Sequence, residues 1–146
     1  MLVRPVWLPD HLLPFWNATP FQTLRALIRG EAEGESWDGK VAVGCVVRNR
    51  AMLAWGWSSD LVEVCLQRHQ FSCFWTDWRL RSKACLDALE DSGDQCADAA
   101  HSVLRDCPDL TDGAVFYFNP KLVKPQWASH LCLKCRIGGH DFYGYI

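Results

Sequence analysis

The chain has 146 residues, of which 49% are hydrophobic and 22% charged, and its formal net charge at pH 7 is −2. This length suits one domain, and the apolar content excludes a disordered chain. The charge excludes the basic excess that is typical of nucleic-acid binding, and no apolar run reaches the ~20 residues of a membrane-spanning helix.

Residues 1–18 are rich in aromatic residues and contain three prolines and no uninterrupted apolar core. This pattern predicts an irregular N-terminal segment ahead of one domain at residues 19–146. It does not resemble a signal peptide, which needs an apolar stretch behind a basic start. We therefore expect synthesis in the cytoplasm without a signal peptide.

A helix is predicted to begin at Thr19, because Thr19 and Gln22 can form a capping box and Pro20 suits the first turn. The apolar stripe of this helix has spacings of three and four residues and consists of Phe21, Leu24, Leu27 and Ile28. The opposite face is expected to be solvated and carries Arg25, Arg29 and Glu33.

Glu31 falls where this apolar stripe should continue, three residues after Ile28. If the helix continues through Gly34, Glu35 comes next on the same face, whereas Glu33 points outward. The spacing therefore predicts two inward carboxylates at the C-terminal end of the helix.

An inward carboxylate at that place is expected to have a raised pKa, because burial and the negative helix end both disfavour its ionised form. A general acid for glycoside cleavage needs such a carboxyl group, since it must hold its proton near neutral pH. The spacing alone leaves a second interpretation open, in which Glu31 is a solvated helix-end residue that pairs with Arg48 or Arg50.

The remaining elements follow from local signals, and they predict a mainly α fold of the α+β class. It is a single compact helical domain with one short extended segment and a loop-rich C-terminal part. The predicted elements are a buried helix from about 36–39 to 53, a capped helix from Asp60 with Glu63, an aromatic loop at 68–78, helices at 79–90 and 94–106 separated by Ser92-Gly93, an extended run before 119, and an irregular tail at 121–146.

Eight cysteines occupy positions 45, 65, 73, 85, 96, 107, 132 and 135. Most lie in apolar helical settings, where a thiol behaves as a small hydrophobe, so we expect mostly free thiols in a reducing cytosol. Cys132 and Cys135 form a CxxC pair with His130 and His140 nearby. That group leaves a zinc site, or a structural or redox-active disulfide, open as alternatives.

A series of short motifs runs through the chain in a fixed order. They are Glu31-Ala32, Gly34-Glu35, Gly39, Val41–Val47, Asn49-Arg50, Gln70-Phe71, the segment 112–120, Trp127 and the segment 137–144. Over about residues 20–144 their order and spacing resemble the SleB-type cell wall hydrolase family, which includes spore-cortex-lytic enzymes and phage and bacterial wall hydrolases. Two features depart from the family pattern, namely Glu33 and the segment 131–135.

The resemblance implies a lysozyme-like, transglycosylase-type fold, peptidoglycan as substrate and Glu31 as the catalytic acid. In a lytic transglycosylase the muramic 6-hydroxyl attacks its own anomeric carbon, so no second carboxylate has to activate water. Glu35 would lie on the same side of the sugar as Glu31 and position the substrate. A hydrolase would need a partner carboxylate across the bond, for which Asp38, Asp77 and Asp112 are candidates.

A glycan groove needs aromatic faces for sugar rings and amides for hydroxyl and acetamido groups. Besides Glu35, the residues predicted to bind substrate are Gln70, Phe71, Tyr117, Asn119, Trp127 and His140. In an extended segment Tyr117 and Asn119 share one face, and Phe116 and Phe118 the other. Core packing is the alternative for each aromatic residue, and His140 can instead cap a turn. Trp75 and Trp78 either line the cleft or only cover it.

The favoured prediction is a monomeric enzyme without a cofactor that degrades peptidoglycan glycan strands. We expect a phage-type endolysin or a related bacterial hydrolase, which waits in the cytoplasm for a holin, or acts from a phage particle, before it reaches the wall. Two other classes stay open. A non-catalytic glycan-binding module would keep its function in Glu31→Gln, and a zinc- or thiol-based protein would depend on Cys132 and Cys135.

Overall fold

The computed structural model describes residues 3–53, 56–90 and 93–146. Within these ranges the elements are α1 (Leu13–Trp16), α2 (Pro20–Ala32), α3 (Trp37–Leu53), α4 (Leu61–Leu66), α5 (Trp78–Ala88), α6 (Gln95–Leu104), β1 (Phe116–Phe118), β2 (Cys132–Ile137) and β3 (His140–Gly144), with short 3-10 helices at Asp10–Leu12 and Gln126–His130. This confirms the predicted α+β class. In the described part, no helix has the length and apolar content needed to cross a membrane.

Helix α2 is the centre of the fold and begins as predicted. The Thr19 hydroxyl accepts a hydrogen bond from the Gln22 amide (3.2 Å), and the Gln22 side chain accepts one from the Thr19 amide (3.0 Å). Leu24, Leu27 and Ile28 are fully buried, and α2 packs against α3, α4, α5 and α6. The capping box and the apolar stripe thus orient α2 along the core.

The prediction of a solvated face on α2 was wrong for its arginines. Arg25 is only 2% exposed and lies over the ring of Phe21, while Arg29 forms an ion pair with Asp94. The physical reason is that α5 and α6 pack on the sides of α2. Glu33, beyond the end of α2, is exposed as predicted.

The other predicted helices are confirmed with shifts of a few residues at their ends. Helix α3 is buried from residue 39 to 47, as its continuous apolar sequence requires. Asp60 caps α4 by accepting from the Glu63 amide (2.9 Å), but the Glu63 carboxylate accepts from the Ser58 hydroxyl instead of completing a capping box. The predicted break between α5 and α6 was Ser92-Gly93, and Ser92 lies outside the described residues.

The N-terminal segment is more ordered than predicted. Its 3-10 turn and α1 place Leu8, Leu12 and Phe15 in the hydrophobic core, and the rings of Phe15 and Phe74 have centroids 5.0 Å apart. Pro9 and Pro14 do not prevent this, because Pro9 is the N-cap of the 3-10 turn and Pro14 lies in the first turn of α1, where no intrahelical amide bond is lost.

The prediction of an irregular tail was also wrong between residues 132 and 144. Strands β2 and β3 form a hairpin, and β1 pairs with the other edge of β3, so the antiparallel sheet has the order β1-β3-β2. Gly138 has φ of 57° in the two-residue turn Gly138-Gly139, a conformation that favours glycine. The glycine pair is therefore a hairpin turn, and it brings His140 to the edge of α2.

Candidate active site

A cleft of about 630 Å³ opens between the C-terminal end of α2, the loop before α5, and β1. Most of the predicted site residues share its lining. The lining residues are Gly30–Glu35, Arg50, Gln70, Phe71, Ser72, Thr76, Asp77, Arg81, Tyr117, Phe118, Asn119, Leu122, Val123 and His140. The sequence motifs at 31–35, 70–71, 117–119 and 140 are thus brought together from distant parts of the chain.

Glu31 lies half-buried on the last turn of α2, and three donors surround its carboxylate. The Tyr117 hydroxyl donates to Oε1 (2.8 Å), while the Ser72 hydroxyl (3.2 Å) and the Cys73 amide (3.1 Å) donate to Oε2. These contacts differ from the salt bridge that the sequence left open. Arg48 donates to the Val103 carbonyl instead, and Arg50 to the Val115 carbonyl.

The loop that carries Ser72 and Cys73 approaches α2 closely, and Gly30 makes this possible. A Cβ atom on Gly30 would lie 2.6 Å from the Cys73 Cβ and 2.7 Å from the Cys85 Sγ. Burial, the Cys85 thiol and the nearby charge of Glu31 raise the pKa of the Cys73 thiol, so this thiol stays neutral. The close packing of this loop on Gly30 places the Cys73 backbone amide within hydrogen-bond distance of Glu31.

Tyr117 reaches Glu31 from β1, on the strand face that alternation predicted. Its ring packs beside Phe71, Phe142 and His140. Burial, followed by the charge of Glu31, raises the pKa of the Tyr117 hydroxyl well above its usual value. Tyr117 therefore remains a neutral hydroxyl that donates to the carboxylate at any physiological pH.

Glu35 lines the cleft, although not by the predicted continuation of a helix. Helix α2 ends at Ala32, and Glu35 lies in the turn that leads to α3. Its Oε1 accepts from the Gly139 amide (2.9 Å) and lies 3.2 Å from Nδ1 of His140. Glu35 therefore connects the end of α2 to the turn of the β2–β3 hairpin.

The predicted substrate residues separate into two groups. Gln70, Asn119 and His140 line the cleft, and so does Phe71, although its 1% exposure places most of its ring in the core. Trp127 does not line the cleft. It packs on the opposite face of the sheet, where its neighbours are Phe116, Phe118 and Tyr143.

Trp75 and Trp78 lie outside the cleft lining as well. Trp75 packs beside Trp7, and Trp78 packs beside His11 and Phe15. The two tryptophans therefore cover the N-terminal segment and the core rather than the cleft.

The described part of the chain contains no group of three or more His, Cys, Asp or Glu side chains that could hold a metal ion. The zinc site that the sequence left open therefore has no ligand cluster there. His140 faces Glu35 and Tyr117 in the cleft. The nearest hydrogen-bond partner of the Cys135 thiol is the Leu110 carbonyl (3.7 Å). All eight cysteines have free thiols.

Several cleft residues had no distinguishing signal in the sequence. Ser72 and Arg81 carry none, because only the folding of the loop and α5 brings them to the cleft. Asp77 was one of three candidate partner carboxylates, and it does line the cleft, whereas Asp38 and Asp112 do not. Arg50 was noted as a possible ion-pair partner and as part of the Asn49-Arg50 motif, but not as a cleft residue.

Comparisons with known proteins identify the family and the fold. A family model described as cell wall hydrolase matches residues 34–143, a span that begins three residues after Glu31. A search of curated proteins found no match.

Two solved structures share the fold. The catalytic domain of the germination-specific lytic transglycosylase SleB from Bacillus anthracis is 21% identical, covers 97% of this chain and 100% of its own, and superposes with a TM-score of 0.70. The catalytic domain of the Bacillus cereus SleB protein is 20% identical, covers 97% and 98%, and has a TM-score of 0.71. At 20–21% identity, the structural similarity to these two domains establishes the fold alone.

Proposed function

The chain belongs to the cell wall hydrolase family, whose enzymes degrade peptidoglycan, and from this premise we propose that it is a lytic transglycosylase with Glu31 as its acid. It would cleave the glycan strand between N-acetylmuramic acid and N-acetylglucosamine and leave 1,6-anhydromuramic ends. The observation that carries the proposal is the Glu31 carboxylate in the cleft, held by the donors of Tyr117, Ser72 and Cys73.

In the first step, protonated Glu31 gives its proton to the glycosidic oxygen as the bond to the muramic anomeric carbon breaks. The carboxylate that forms already has donors from Tyr117 and the Cys73 amide, and such preorganised donors lower the cost of the new charge. The Ser72 hydroxyl suits both states, because a hydroxyl accepts from a carboxylic acid and donates to a carboxylate.

In the second step, the 6-hydroxyl of the same muramic residue attacks the anomeric carbon, and the Glu31 carboxylate takes the hydroxyl proton. One glycosidic bond has broken, one 1,6-anhydro bond has formed, and Glu31 is protonated again. Since water is not consumed, a single carboxyl group can serve both steps as acid and then as base.

The surroundings of Glu35 support this assignment. Its Oε1 is occupied by the Gly139 amide and lies beside His140, on the same wall of the cleft as Glu31. A carboxylate held in that way suits substrate positioning better than activation of water. The Bacillus anthracis relative is a lytic transglycosylase, which supports the assignment by analogy.

A hydrolytic mechanism is the second candidate, and the position of Asp77 favours it. Asp77 lines the cleft together with Glu31, so it is the carboxylate that would activate a water molecule in that mechanism. Inverting glycosidases use two carboxyl groups ~6.5–9.5 Å apart for this purpose.

Digestion of purified peptidoglycan, with fragments identified by mass spectrometry, tests the proposal. Wild type and Asp77→Asn should both release fragments that end in 1,6-anhydromuramic acid, and Glu31→Gln should release none. Reducing ends from wild type that disappear in Asp77→Asn would instead establish the hydrolase. No fragments from wild type would reject both.

We further propose, from the sequence alone, a monomeric phage endolysin that is released to the wall by a holin. Expression inside a Gram-negative host should then cause lysis only when a holin is expressed as well. Lysis without the holin would contradict this release route, and a dimer in size-exclusion chromatography would contradict the monomer.

A further inference from the structure

Both side-chain amides that line the cleft have their oxygen atoms occupied by fixed donors. Oε1 of Gln70 accepts from Nη1 of Arg50 (3.3 Å), and Oδ1 of Asn119 accepts from the backbone amide of Lys121 (2.9 Å). A guanidinium and a backbone N–H can only donate, so in both cases the oxygen must face the donor. The NH₂ group of each amide therefore points away from its donor.

Arg50 is held rigidly as the donor to Gln70. It is 3% exposed, its Nε donates to the Val115 carbonyl (2.7 Å), and its guanidinium lies 5.1–5.3 Å from three aromatic ring centroids. Those rings belong to Trp57, Phe71 and Phe116. Burial lowers the pKa of Arg50 to about 10, so the side chain remains a cation at neutral pH.

The residue type at position 70 is informative because Arg50 contacts no carboxylate in the described part of the chain. Its neighbours there are a carbonyl, an amide and aromatic rings. A glutamate at position 70 would compensate the buried cation better than a neutral amide. Glutamine at this position lacks that compensation of the cation but has an NH₂ donor. This indicates that the NH₂ group itself is used to bind substrate.

Asn119 is held just as firmly at the end of β1. Its carbonyl accepts from the amides of Leu122 and Val123 while its side chain accepts from Lys121. A Cβ atom on Gly139 would lie 3.9 Å from Nδ2, so the NH₂ group faces the hairpin turn at the cleft. The cleft lining therefore contains two side-chain amides, from separate parts of the chain, whose orientations are set by fixed donors.

We propose that the NH₂ groups of Gln70 and Asn119 donate hydrogen bonds to the acetamido carbonyl oxygens of the glycan. Arg50 is the positioning residue that fixes which way the Gln70 amide faces. This inference rests on the proposed function and names the substrate feature that the same cleft selects. An N-acetylated sugar offers a carbonyl acceptor to each NH₂ group. A de-N-acetylated sugar offers an ammonium group, which can only donate and leaves the amides unpaired.

Binding rather than cleavage provides the test, so the measurement uses the full chain with Glu31→Gln. Soluble glycan fragments of one length are compared in N-acetylated form, after chemical de-N-acetylation, and after re-acetylation as a control for the chemical treatment. The N-acetylated and re-acetylated fragments should bind about tenfold or more tightly than the de-N-acetylated fragment, because an unpaired donor in a polar site lowers affinity strongly.

Variants assign this selectivity to the amides. Gln70→Met, Gln70→Glu and Asn119→Leu should each lower the affinity ratio between acetylated and de-acetylated glycan, and Arg50→Lys should do so while Gln70 is intact. Gln95→Glu is the matched control, since Gln95 is exposed at the start of α6, and it should leave the ratio unchanged. Circular dichroism melting of each variant separates misfolding from a change in the ratio.

Three outcomes would overturn the inference: equal binding of both glycans, a ratio lowered by Gln70→Glu but not by Gln70→Met, or binding of neither glycan. The second outcome would mean that the added charge, rather than the lost NH₂ donor, attracts the ammonium group. Selective binding without cleavage by the wild type would leave this inference standing and reject the proposed function. Cleavage by the wild type without selective binding would reject this inference and leave the proposed function standing.

Discussion

The two walls of the cleft differ in chemistry. The helical wall, formed by the end of α2 with its turn and the loop before α5, carries the carboxylates of Glu31, Glu33, Glu35 and Asp77. The sheet wall, formed by β1 and the hairpin turn, carries Tyr117, Asn119 and His140. The difference teaches that the carboxylates are concentrated on one wall, while the other wall supplies hydroxyl, amide and imidazole groups that contact them.

Two contacts join the walls across long sequence separations. Tyr117 donates to Glu31, and the Gly139 amide donates to Glu35. Glu31 and Glu35 are thus both held by groups of the sheet wall. Removing the acid should abolish the chemistry, whereas removing a partner should weaken it, and this ranking can be measured.

The largest effect is expected from Glu31→Gln on the helical wall. Loss of a general acid typically costs 10²–10⁴-fold in rate, so we expect kcat on peptidoglycan to fall by about 10³-fold without a change in Tm. The matched control is Glu90→Gln, because Glu90 is exposed and lies outside the cleft lining, and it should stay within about twofold of wild type. A Glu31→Gln enzyme with near-normal kcat would place the acid elsewhere.

The next effect is expected from Tyr117→Phe on the sheet wall. This change keeps the ring and removes the hydroxyl that donates to Glu31, so we expect kcat to fall by roughly 10–100-fold with little change in KM. Tyr143→Phe is the control, since Tyr143 packs on Phe118 and Trp127 outside the cleft. Equal kcat values for the two variants would show that the hydroxyl contact does not assist the acid.

Gly30→Ala should damage the fit between α2 and the Ser72 loop rather than the chemistry itself. The added Cβ would overlap Cys73 and Cys85, and overpacking typically costs about 1–3 kcal/mol, or roughly 2–4 °C in Tm per kcal/mol for this chain length. At Gly34 nothing lies within 4 Å of an added Cβ, so Gly34→Ala should keep the wild-type Tm. Equal Tm values for the two variants would contradict the close packing at Gly30.

The smallest effect is expected at Trp127, which lies on the outer face of the sheet. The sequence predicts a substrate contact for this residue, and its position in the structure makes Trp127→Leu a sharp test. We expect the affinity for short glycan fragments, measured by calorimetry, to stay within about twofold of wild type. A loss of tenfold or more would mean that the glycan extends from the cleft around Phe118 to the outer face.

Local signals were sufficient to place Glu31 on the helical wall. The Thr19 and Gln22 capping box sets the start of α2, and the 3.6-residue period places Glu31 inward because both depend on neighbouring residues alone. The alternation in β1 placed Tyr117 and Asn119 on one face for the same reason. The family resemblance then connected these residues to a common site.

Contacts between distant segments explain what could not be predicted. Arg25 is buried because α5 and α6 pack around α2, which no property of its own helix reveals. Ser72 and Arg50 enter the cleft only after the chain has folded. The turn at Gly138-Gly139 was the one readable signal that was missed, since two glycines between alternating residues favour a hairpin.

Digestion of peptidoglycan in water enriched in ¹⁸O tests the central claim most directly, namely that Glu31 alone cleaves the strand without water. The account predicts anhydro fragments that contain no ¹⁸O from the solvent and that are absent with Glu31→Gln. Fragments with one ¹⁸O atom at the new reducing end would contradict it, because they would show that a water molecule, rather than the muramic 6-hydroxyl, attacks the anomeric carbon.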